Sequence, residues 1–559
     1  MKAVAPRRPS AIFPVALVLA GVALGVVAWL LPVNIKSVSP ALLRAAGAQT
    51  RSLAAFGRDL VDSEKIGPAA LLLAASQNVG DPRAPALARA LEDLTARQPG
   101  LAVWGGWDPF LDPLFKLRVS SGRAASTPVL TFFLPQEARE KLRTYLATSG
   151  SLGVQAIMQT RELTATGRFV PATRPGGQPL DALVLLTALL CQGERLSPPL
   201  QRELRALAET AVLKKELGEL EPFFMDLLSL GRRLDWVQLS ELLRHTADTK
   251  TVSAYAHLAR VAPDQLPLIY SAALFADSAD RVASYLIQYG KSGADDLKLA
   301  LAQGQGAVRV LLQRQVPVNR RTGPAMSAAG EFALSHPQFT LALKYLGYLL
   351  GAFFVLRGLD LIVTRTGSGA PLMALPRMKA GVLALLFAAL LVVGTEPFLL
   401  KAAPPSEYQV RVHFPVLFAA SSAPVAPATP SQPNHHMDSS TLISIGLFAS
   451  LQVAMYFICL VKIREIAGQD LPPLVRLKLI ENEENLFDGG LYLGIGGTAT
   501  ALVLQVLGVI EPNLLAAYSS NLFGITCVAL VKIRHVRPFK RSLILETDSE
   551  ATLKALRKT

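Results

Sequence analysis

The sequence predicts a mainly α-helical membrane protein, with one N-terminal anchor, a large extracytoplasmic helical domain and a C-terminal bundle of five spans. Of the 559 residues, 51% are hydrophobic and only 18% are charged, whereas a soluble domain carries roughly 25% charged residues. The mean hydropathy of +0.35 also indicates several membrane spans. The apolar runs long enough to cross a bilayer stand at the N-terminus and after residue 337, with a long region between them that has none.

The first apolar run occupies residues 11–31 and follows a short basic segment, 1–10, with one Lys and two Arg. Its length suits a helix that crosses the bilayer. A cleaved signal peptide has a shorter apolar core and a small-x-small cleavage site, but this run ends in Trp29-Leu-Leu-Pro. We therefore expect a cytoplasmic N-terminus and an uncleaved first transmembrane helix, with a cleaved signal as the alternative.

Residues 33–337 have the pattern of an extracytoplasmic domain built from short amphipathic helices. Apolar residues recur at helical spacing, and Asp235, Ser278 and Ser292 precede such runs at positions typical of helix N-caps. The pattern predicts separate helices over 279–290 and 293–303. Short helices in regular succession favour a solenoid-like stack or an irregular helical array.

One stretch of this domain departs from the helical pattern. Residues 115–134, FKLRVSSGRAASTPVLTFFL, alternate, turn through Ser-Gly-Arg and continue as a run rich in β-formers, which predicts a β-hairpin. Just before it lie Trp104, Trp107 and Phe110. These aromatic residues either pack the hairpin onto the helices or form an exposed patch for a partner.

The C-terminal part alternates apolar runs with basic segments. The predicted transmembrane helices are 340–362, 380–400, 441–461, 490–510 and 514–531. Lys and Arg are concentrated at the N-terminus, between the second and third spans, in the loop 462–488 and in the tail 532–559. The positive-inside rule places these segments in the cytoplasm and residues 33–337 outside, as a multi-pass protein of a bacterial inner membrane.

The basic composition has an explanation in this topology. The formal net charge of +14 is accounted for by the orientation signal and by contact with anionic lipid headgroups, so the bilayer is an expected partner and nucleic acid is not. The segment 402–438 is rich in Pro, Ala and Ser, which predicts an extended outer linker. Its adjacent His435 and His436 are a weak ligand set, and we expect no metal there.

The sequence contains no motif for soluble catalysis. We find no nucleophile elbow, Walker loop, H-E-x-x-H motif or Cys pair, and therefore expect no enzyme activity and no cofactor. Residues 494–499 fit the dinucleotide motif G-x-G-x-x-G/A. They lie inside a predicted span, however, without the preceding strand and the following acid that this motif requires.

Ionisable residues inside predicted spans are functional candidates, because their burial in lipid is costly. There are four of them: Lys344, Arg357, Asp360 and Glu396. Arg357 and Asp360 are three residues apart and could pair, and the ordinary alternative for all four is that they reach to the membrane interface. A further alternative is a membrane enzyme whose site lies at the outer face, near Glu396 and the outer linker 402–438.

The last two spans combine small and polar residues, several at four-residue spacing. The residues concerned are Gly494, Gly497, Thr498, Thr500, Gln505, Ser520, Asn521, Gly524 and Thr526. Small residues at this spacing allow two helix backbones to approach closely, and Gly347 and Gly351 give the second span a similar stripe. The polar side chains either pack the two helices together or line a narrow proton or ion path.

LGIGGTATAL (493–502) resembles the signature of the MotA/TolQ/ExbB proton-channel family, with Leu493, Gly494, Gly497 and Thr498 at matching positions. SSNLFGITCVAL (519–530) is similar to the last helix of that family, with Ser520-Asn521 at its hydroxyl pair. The resemblance is confined to the last three spans. It implies a homo-oligomer around partner helices that converts proton flow into mechanical work. Thr498, Ser520 and Asn521 would then line the pore.

Our first interpretation is a non-enzymatic inner-membrane protein whose helical outer domain binds a protein partner in the periplasm. The alternative is a proton-channel or motor subunit that energises an envelope process. The second alternative is the membrane enzyme with an outer-face site.

Overall fold

The computed structural model describes residues 12–118, 126–320, 327–366, 377–399, 406–408, 439–506 and 514–556. The protein is mainly helical (78%), and no β-strand is found among these described residues. The prediction of a mainly α fold is therefore confirmed.

An N-terminal helix, α1 (Ile12–Leu30), precedes the part of the chain that we call the outer domain, residues 33–320. The helices of the outer domain are α2 (Pro40–Gly47), α3 (Leu53–Asp62), α4 (Ile66–Val79), α5 (Ala84–Arg97), α6 (Pro99–Trp104), α7 (Asp112–Phe115), α8 (Val129–Phe133), α9 (Gln136–Ala147), α10 (Leu152–Gln159), α11 (Gln178–Gln192), α12 (Pro198–Lys214), α13 (Leu220–Gly231), α14 (Trp236–Arg244), α15 (Thr249–Val261), α16 (Leu266–Ala276), α17 (Ala279–Gln303) and α18 (Gln305–Arg314). Short 3-10 turns add Thr160–Glu162 and Pro263–Gln265.

The C-terminal part contains the helices of the predicted spans and their connections. These helices are α19 (Ser327–Ser335), α20 (Pro337–Thr366), α21 (Arg377–Thr395), α22 (Ser439–Ala467), α23 (Pro473–Asn482), α24 (Glu484–Phe487), α25 (Gly489–Val506), α26 (Leu514–Leu530) and α27 (Arg537–Leu556). A 3-10 turn over Pro397–Leu399 follows α21, and a π-helical segment over Val531–Val536 joins α26 to α27.

The outer domain folds around one continuous hydrophobic core. Every residue of α11 from Leu180 to Cys191 is buried, as expected for a helix that is apolar on all sides. α2 packs on α18 and α4 packs on α16, so the first helices of the domain close against its last ones. A solenoid has contacts only between neighbouring units. Of the two arrangements that the sequence favours, the domain is therefore a closed helical array and not a solenoid-like stack.

Two of the three predicted N-caps begin helices. Asp235 begins α14 with a capping box, and Ser278 caps α17. Ser292 caps no helix, because α17 continues through it and the chain bends earlier, at Gly290, where φ is 57°. The two helices predicted in this region are thus one kinked helix, broken where glycine tolerates a left-handed backbone.

The β-hairpin predicted near 115–134 is wrong. In the first predicted strand, α7 ends and Lys116 takes a left-handed conformation with φ 53°. The second predicted strand contains the short helix α8. Residues 119–125, between them, lie outside the described residues. Trp104 stacks on Phe132 of α8, with 3.9 Å between the ring centroids. The apolar run therefore packs as a helical turn against a buried aromatic ring, which also favours packing over an exposed aromatic patch.

The side chain of Asp235 is buried against two glycines. Gly67 and Gly105 leave no room for a methyl group beside its carboxyl group, and Ser126 Oγ donates a hydrogen bond to Oδ2 at 2.6 Å. Burial raises the pKa of this carboxyl from 3.8 to about 7, although hydrogen bonds from Gln238 and Ser126 act in the opposite direction. The folded protein therefore binds this proton more tightly than the unfolded chain does.

We expect the stability of the outer domain to depend on pH through Asp235. Between about pH 4 and 7 the folded state keeps this proton and the unfolded state does not. The free energy of unfolding therefore falls by up to about 1.4 kcal/mol per unit as the pH rises, and the contribution is constant above about pH 7. Asp235→Asn keeps a good N-cap and removes the titration.

The stability of Asp235→Asn relative to wild type should increase from pH 5 to about 7 and then level off. Other titrating groups, such as Asp226 and Asp296, are the same in both proteins, so their contributions cancel in the difference. Thermal unfolding of the two purified proteins from pH 5 to 8 measures it. A difference that is constant over this range would contradict the assignment.

Two helices among the described residues are long and apolar enough to cross a membrane, namely α1 and the Pro337–Ile362 part of α20. α1 packs along α20, α20 packs on α21, and side chains of the three helices share a small core. α22, α25 and α26 pack with one another, and α22 and α26 contribute to a second core that includes parts of α23, α24 and α27. The helices of the predicted spans thus form two groups of three.

Glycines bring α1 and α20 into backbone contact. A Cβ atom on Gly21 would lie 2.7 Å from the carbonyl oxygen of Gly351, and a Cβ on Gly351 would lie 2.9 Å from the carbonyl oxygen of Gly21. One turn away, Gly347 faces Ala28 in the same manner. The glycine stripe noted in the second span therefore packs against the N-terminal helix, as small-residue stripes do between close helices.

Candidate functional site

The chain enters and leaves the outer domain at the same place. The N–H of Val38 donates to the carbonyl oxygen of Pro317 at 2.9 Å, and the N–H of Asn319 donates to the carbonyl oxygen of Val38 at 2.8 Å. The segment that follows α1 therefore lies beside the segment that leads to α19. We call this place the junction, and two charged side chains complete it, one from α20 and one from the residue that follows α21.

Lys344 of α20 is buried in the junction, with 1% of its surface exposed. Its Nζ donates to the carbonyl oxygen of Val33 at 2.7 Å and to Asn34 Oδ1 at 2.6 Å. The same Nζ lies 3.8 Å from Glu396 Oε1. Two of the three donors of the ammonium group therefore have hydrogen-bond acceptors, and the Glu396 carboxylate forms an ion pair with it at the longer distance.

Glu396 approaches the junction from the other side and is equally buried. α21 ends at Thr395 because a residue that precedes proline, here Glu396 before Pro397, is disfavoured in a helix. Glu396 Oε2 accepts a hydrogen bond from the N–H of Ile35 at 3.0 Å, and Oε1 accepts one from the hydroxyl of Tyr345. The carboxylate is thus an acceptor within a closed network, and it is not presented to the surface as an accessible acid or base.

The junction ties four separate segments together. α20 and the residue that follows α21 supply the charges, and the segment after α1 supplies backbone and amide partners. The segment before α19 adds Asn319, whose Nδ2 donates to the carbonyl oxygen of Thr395 at 3.1 Å. The sequence singled out Lys344 and Glu396, and the structure buries both of them in the junction. Asn34 was missed, because a single amide just after an apolar run has no distinguishing pattern.

The other two charged candidates lie far from the junction. Arg357 Nη1 is 2.7 Å from Asp360 Oδ2, and Asp360 is buried. Arg357 is 13 residues beyond Lys344 on one helix, which corresponds to about 20 Å. The structure therefore brings the four candidates together as two pairs, one near each end of the second predicted span.

α25 and α26 pack backbone to backbone. A Cβ on Gly494 would lie 3.0 Å from the carbonyl oxygen of Ser520 and 3.2 Å from Asn521 Cα, and one on Gly524 would lie 2.6 Å from the carbonyl oxygen of Gly490. Gly497 faces the side chain of Ser520. These residues of the predicted stripe therefore form a close helix–helix contact.

The hydroxyl groups near this contact bind to helix carbonyl groups. Thr498 Oγ1 donates to the carbonyl oxygen of Gly494 at 2.9 Å, and Ser520 Oγ approaches the same oxygen at 3.3 Å. Thr526 is exposed and donates to Leu522 in its own helix at 2.9 Å. The side chains of Thr500 and Gln505 lie outside the described residues.

Two amide side chains stand beside this contact. Gln452 of α22 is buried and donates through Nε2 to the carbonyl oxygen of Gly490 at 3.0 Å. Asn521 Oδ1 is buried and has no hydrogen-bond partner among the described residues. Sequence reasoning missed Gln452, because one amide in an apolar helix is not a recognisable motif.

Gly494→Ala should weaken the contact between α25 and α26 by about 1–3 kcal/mol, because the added methyl group meets backbone atoms that cannot rotate away. Gly496 is the matched control on the same helix, since a Cβ there meets nothing within 4 Å. Thermal unfolding of both variants in detergent compares them. Equal stability of Gly494→Ala and Gly496→Ala would contradict the close contact.

No group of three or more His, Cys, Asp or Glu side chains in the described part of the chain could hold a metal ion. His435 and His436 lie outside the described residues. The three cysteines are buried and form no disulfide bond.

No protein-family model, curated protein or solved structure matches the chain. The resemblance of the last three predicted spans to the MotA/TolQ/ExbB family therefore depends only on the residues that carry it.

Proposed function

We propose that this is a non-enzymatic, multi-pass protein of a bacterial inner membrane that holds its outer domain in a fixed orientation for binding an envelope protein partner. The observation that carries the proposal is the junction. Lys344 and Glu396 hold the first end of the outer domain, residues 33–35, through buried hydrogen bonds. At the second end, Asn319 donates to the carbonyl oxygen of Thr395, the last residue of α21. A domain that needed only to be tethered would be served by a flexible linker.

The packing of α1 supports its retention as a membrane helix. Its glycine Gly21 is in backbone contact with α20, so removal of α1 as a signal peptide would expose this face of α20. The basic segments in alternate loops support cytoplasmic termini and a periplasmic outer domain, by the positive-inside rule.

Cysteine labelling with a membrane-impermeant maleimide tests this topology. Leu213 of the outer domain is 84% exposed and Leu545 of the tail is 61% exposed, whereas the native cysteines are buried. In spheroplasts, Leu213→Cys should react at once and Leu545→Cys only after lysis, with the unsubstituted protein as the background. The reverse order would contradict the proposal.

Site-specific photo-cross-linking in cells tests the partner. Leu152 and Leu213 are exposed apolar residues of the outer domain, and Ile544 is an exposed apolar residue of the tail. A photoreactive residue at either outer position should give an adduct with a discrete envelope protein, and one at Ile544 should not give that adduct. The lack of any outer-domain adduct would count against partner binding.

A second candidate is a proton-channel or motor subunit similar to the MotA/TolQ/ExbB family. The observation that favours it is the group of polar side chains between α22, α25 and α26, with Gln452 and Ser520 buried and Asn521 Oδ1 without a partner among the described residues. Polar groups inside a bundle are characteristic of ion pathways, although they also hold helices together.

The channel candidate predicts a symmetric homo-oligomer in detergent and loss of function in Thr498→Val. The Thr498 hydroxyl is hydrogen-bonded along its own helix, so this substitution should change thermal stability by less than about 1 kcal/mol. Light scattering gives the oligomeric state. A monomer whose biological activity survives Thr498→Val would exclude the channel and leave the partner-binding proposal intact.

A further inference from the structure

A short piece of the outer linker is seated on the outer domain. Of the predicted 402–438 linker, residues 406–408 are described, and Tyr408 is 2% exposed and joins the domain core. Burial raises the pKa of its hydroxyl, so the neutral phenol donates a hydrogen bond to Gln265 Oε1 at 3.1 Å. A buried aromatic ring with a satisfied polar tip is typical of the anchor residue of a bound peptide.

The segment is also held through its backbone and its acidic side chain. The carbonyl oxygen of Tyr408 accepts a hydrogen bond from His257 Nε2 at 2.9 Å, which requires that Nε2 carries the proton. Lys291 Nζ lies 3.3 Å from the carboxylate of Glu407. This pair is exposed and contributes little to affinity, but it favours an acidic residue before the tyrosine.

The kink of α17 forms one wall of the cleft. The backbone of Gly290 has φ 57° and ψ −136°, and Ser406 fits against this break. A Cβ at Gly290 would lie 3.1 Å from Ser406 Oγ and 3.2 Å from the nitrogen of Glu407. A non-helical glycine inside a helix weakens the helix, and here it makes the notch that receives the segment.

The segment does not fill the cleft. A cavity of about 480 Å³ lies beside it, which is within the usual size range of ligand sites. The residues that line it are Val261, Ala262, Pro263, Asp264, Gln265, Lys291, Glu407 and Tyr408. A ligand that extends beyond these three residues therefore has room along the end of α15.

We propose that this cleft is a peptide-binding site of the outer domain, that the 406–408 segment occupies it as a tethered ligand, and that the partner presents an extended peptide with an acidic residue followed by tyrosine. This inference rests on the proposed partner-binding function and assigns it a site. Three features carry it: the tyrosine pocket, the backbone hydrogen bond from His257 and the free volume beside them.

Because the 406–408 segment belongs to the same chain, a free peptide needs a high affinity to displace it from the cleft. Attachment to the same chain can give a bound segment an effective concentration on the order of 1 mM at its own site. A free peptide with a Kd of about 10 μM would then bind the occupied protein about a hundredfold more weakly than the vacant one. A partner that uses the additional cavity gains contacts that the tethered segment lacks, and it would displace the segment.

The test uses the full-length protein in detergent and a fluorescent peptide with the sequence of residues 402–411, AAPPSEYQVR. Fluorescence anisotropy should show that the peptide binds Tyr408→Ala protein at least tenfold more tightly than wild type, because the tethered competitor is removed. A peptide with alanine in place of its tyrosine should not bind. His257→Ala added to Tyr408→Ala should lower the affinity at least fivefold.

Tyr408→Phe is a second way to weaken the tethered segment, because it keeps the buried ring and removes the hydrogen bond to Gln265, and it should also bind the peptide more tightly than wild type does. This variant gives the answer if Tyr408→Ala does not fold, as judged by circular dichroism. Equal binding by wild type and a folded variant, or no binding by that variant, would overturn the inference. Photo-cross-linked adducts from Leu152 or Leu213 would in that case still support partner binding, through another surface.

Discussion

Lys344→Met is expected to destabilise the protein by about 3–5 kcal/mol, because it leaves the Glu396 carboxylate buried without its cation. The methionine side chain has a similar length and adds no polar group, so the loss of charge is the main change. Glu396→Gln should cost a comparable amount, since it leaves the Lys344 ammonium buried without a carboxylate. Thermal or denaturant unfolding of the purified protein in detergent measures both effects.

The double variant Lys344→Met/Glu396→Gln should be markedly more stable than the sum of the two single effects predicts. Replacing both charges of a buried pair removes the uncompensated charge that makes each single variant costly. Arg205→Met is the control, because Arg205 and Glu209 form an exposed pair that should contribute less than about 1 kcal/mol. Additive single effects would show that the two side chains of the junction do not interact.

Gly21→Ala is expected to separate α1 from α20 at a cost of about 2–3 kcal/mol. The added methyl group would meet the carbonyl oxygen of Gly351 at 2.7 Å and the nitrogen of Val355 at 2.8 Å, and backbone atoms of a helix cannot rotate aside. The expected result is a lower unfolding temperature in detergent. Cross-linking between cysteines placed on α1 and α20 should decrease in parallel.

Gly25→Ala provides the matched control for this prediction. Gly25 lies one turn along the same helix, and a Cβ there meets no atom within 4 Å. The same gain in helix propensity applies to both substitutions, so the difference between them isolates the contact with α20. If Gly25→Ala is as destabilising as Gly21→Ala, the close packing of α1 on α20 is contradicted.

Local sequence signals predicted the parts of the fold that depend on local interactions. Asp235 was identified as a helix cap because a carboxylate before an apolar run satisfies the free N–H groups of the first turn. The hairpin prediction failed because alternation of apolar and small residues over 115–134 also arises when a helical turn packs one aromatic face. In the structure Phe132 of α8 stacks on Trp104, a residue that lies outside the alternating pattern.

Sequence reasoning identified the charged residues of the candidate site but not their partner. Lys344 and Glu396 were found because charge inside an apolar run is costly and therefore informative. Their partner Asn34 lies 310 residues from Lys344 in the chain, and no periodicity connects positions at that separation. The same limit applies to the cleft, where Tyr408 meets His257 across 151 residues.

The pairing of Val38 with Pro317 and Asn319 has a consequence for how the membrane part assembles. α1 and α20 are separated by the entire outer domain in the chain, and closing so long a loop costs conformational entropy. Once the domain has folded, its two ends lie side by side, and the two helices meet as though a short turn joined them. The folded outer domain thus takes the place of the turn in a helical hairpin. α1 can pack on α20 only after the outer domain between them has folded.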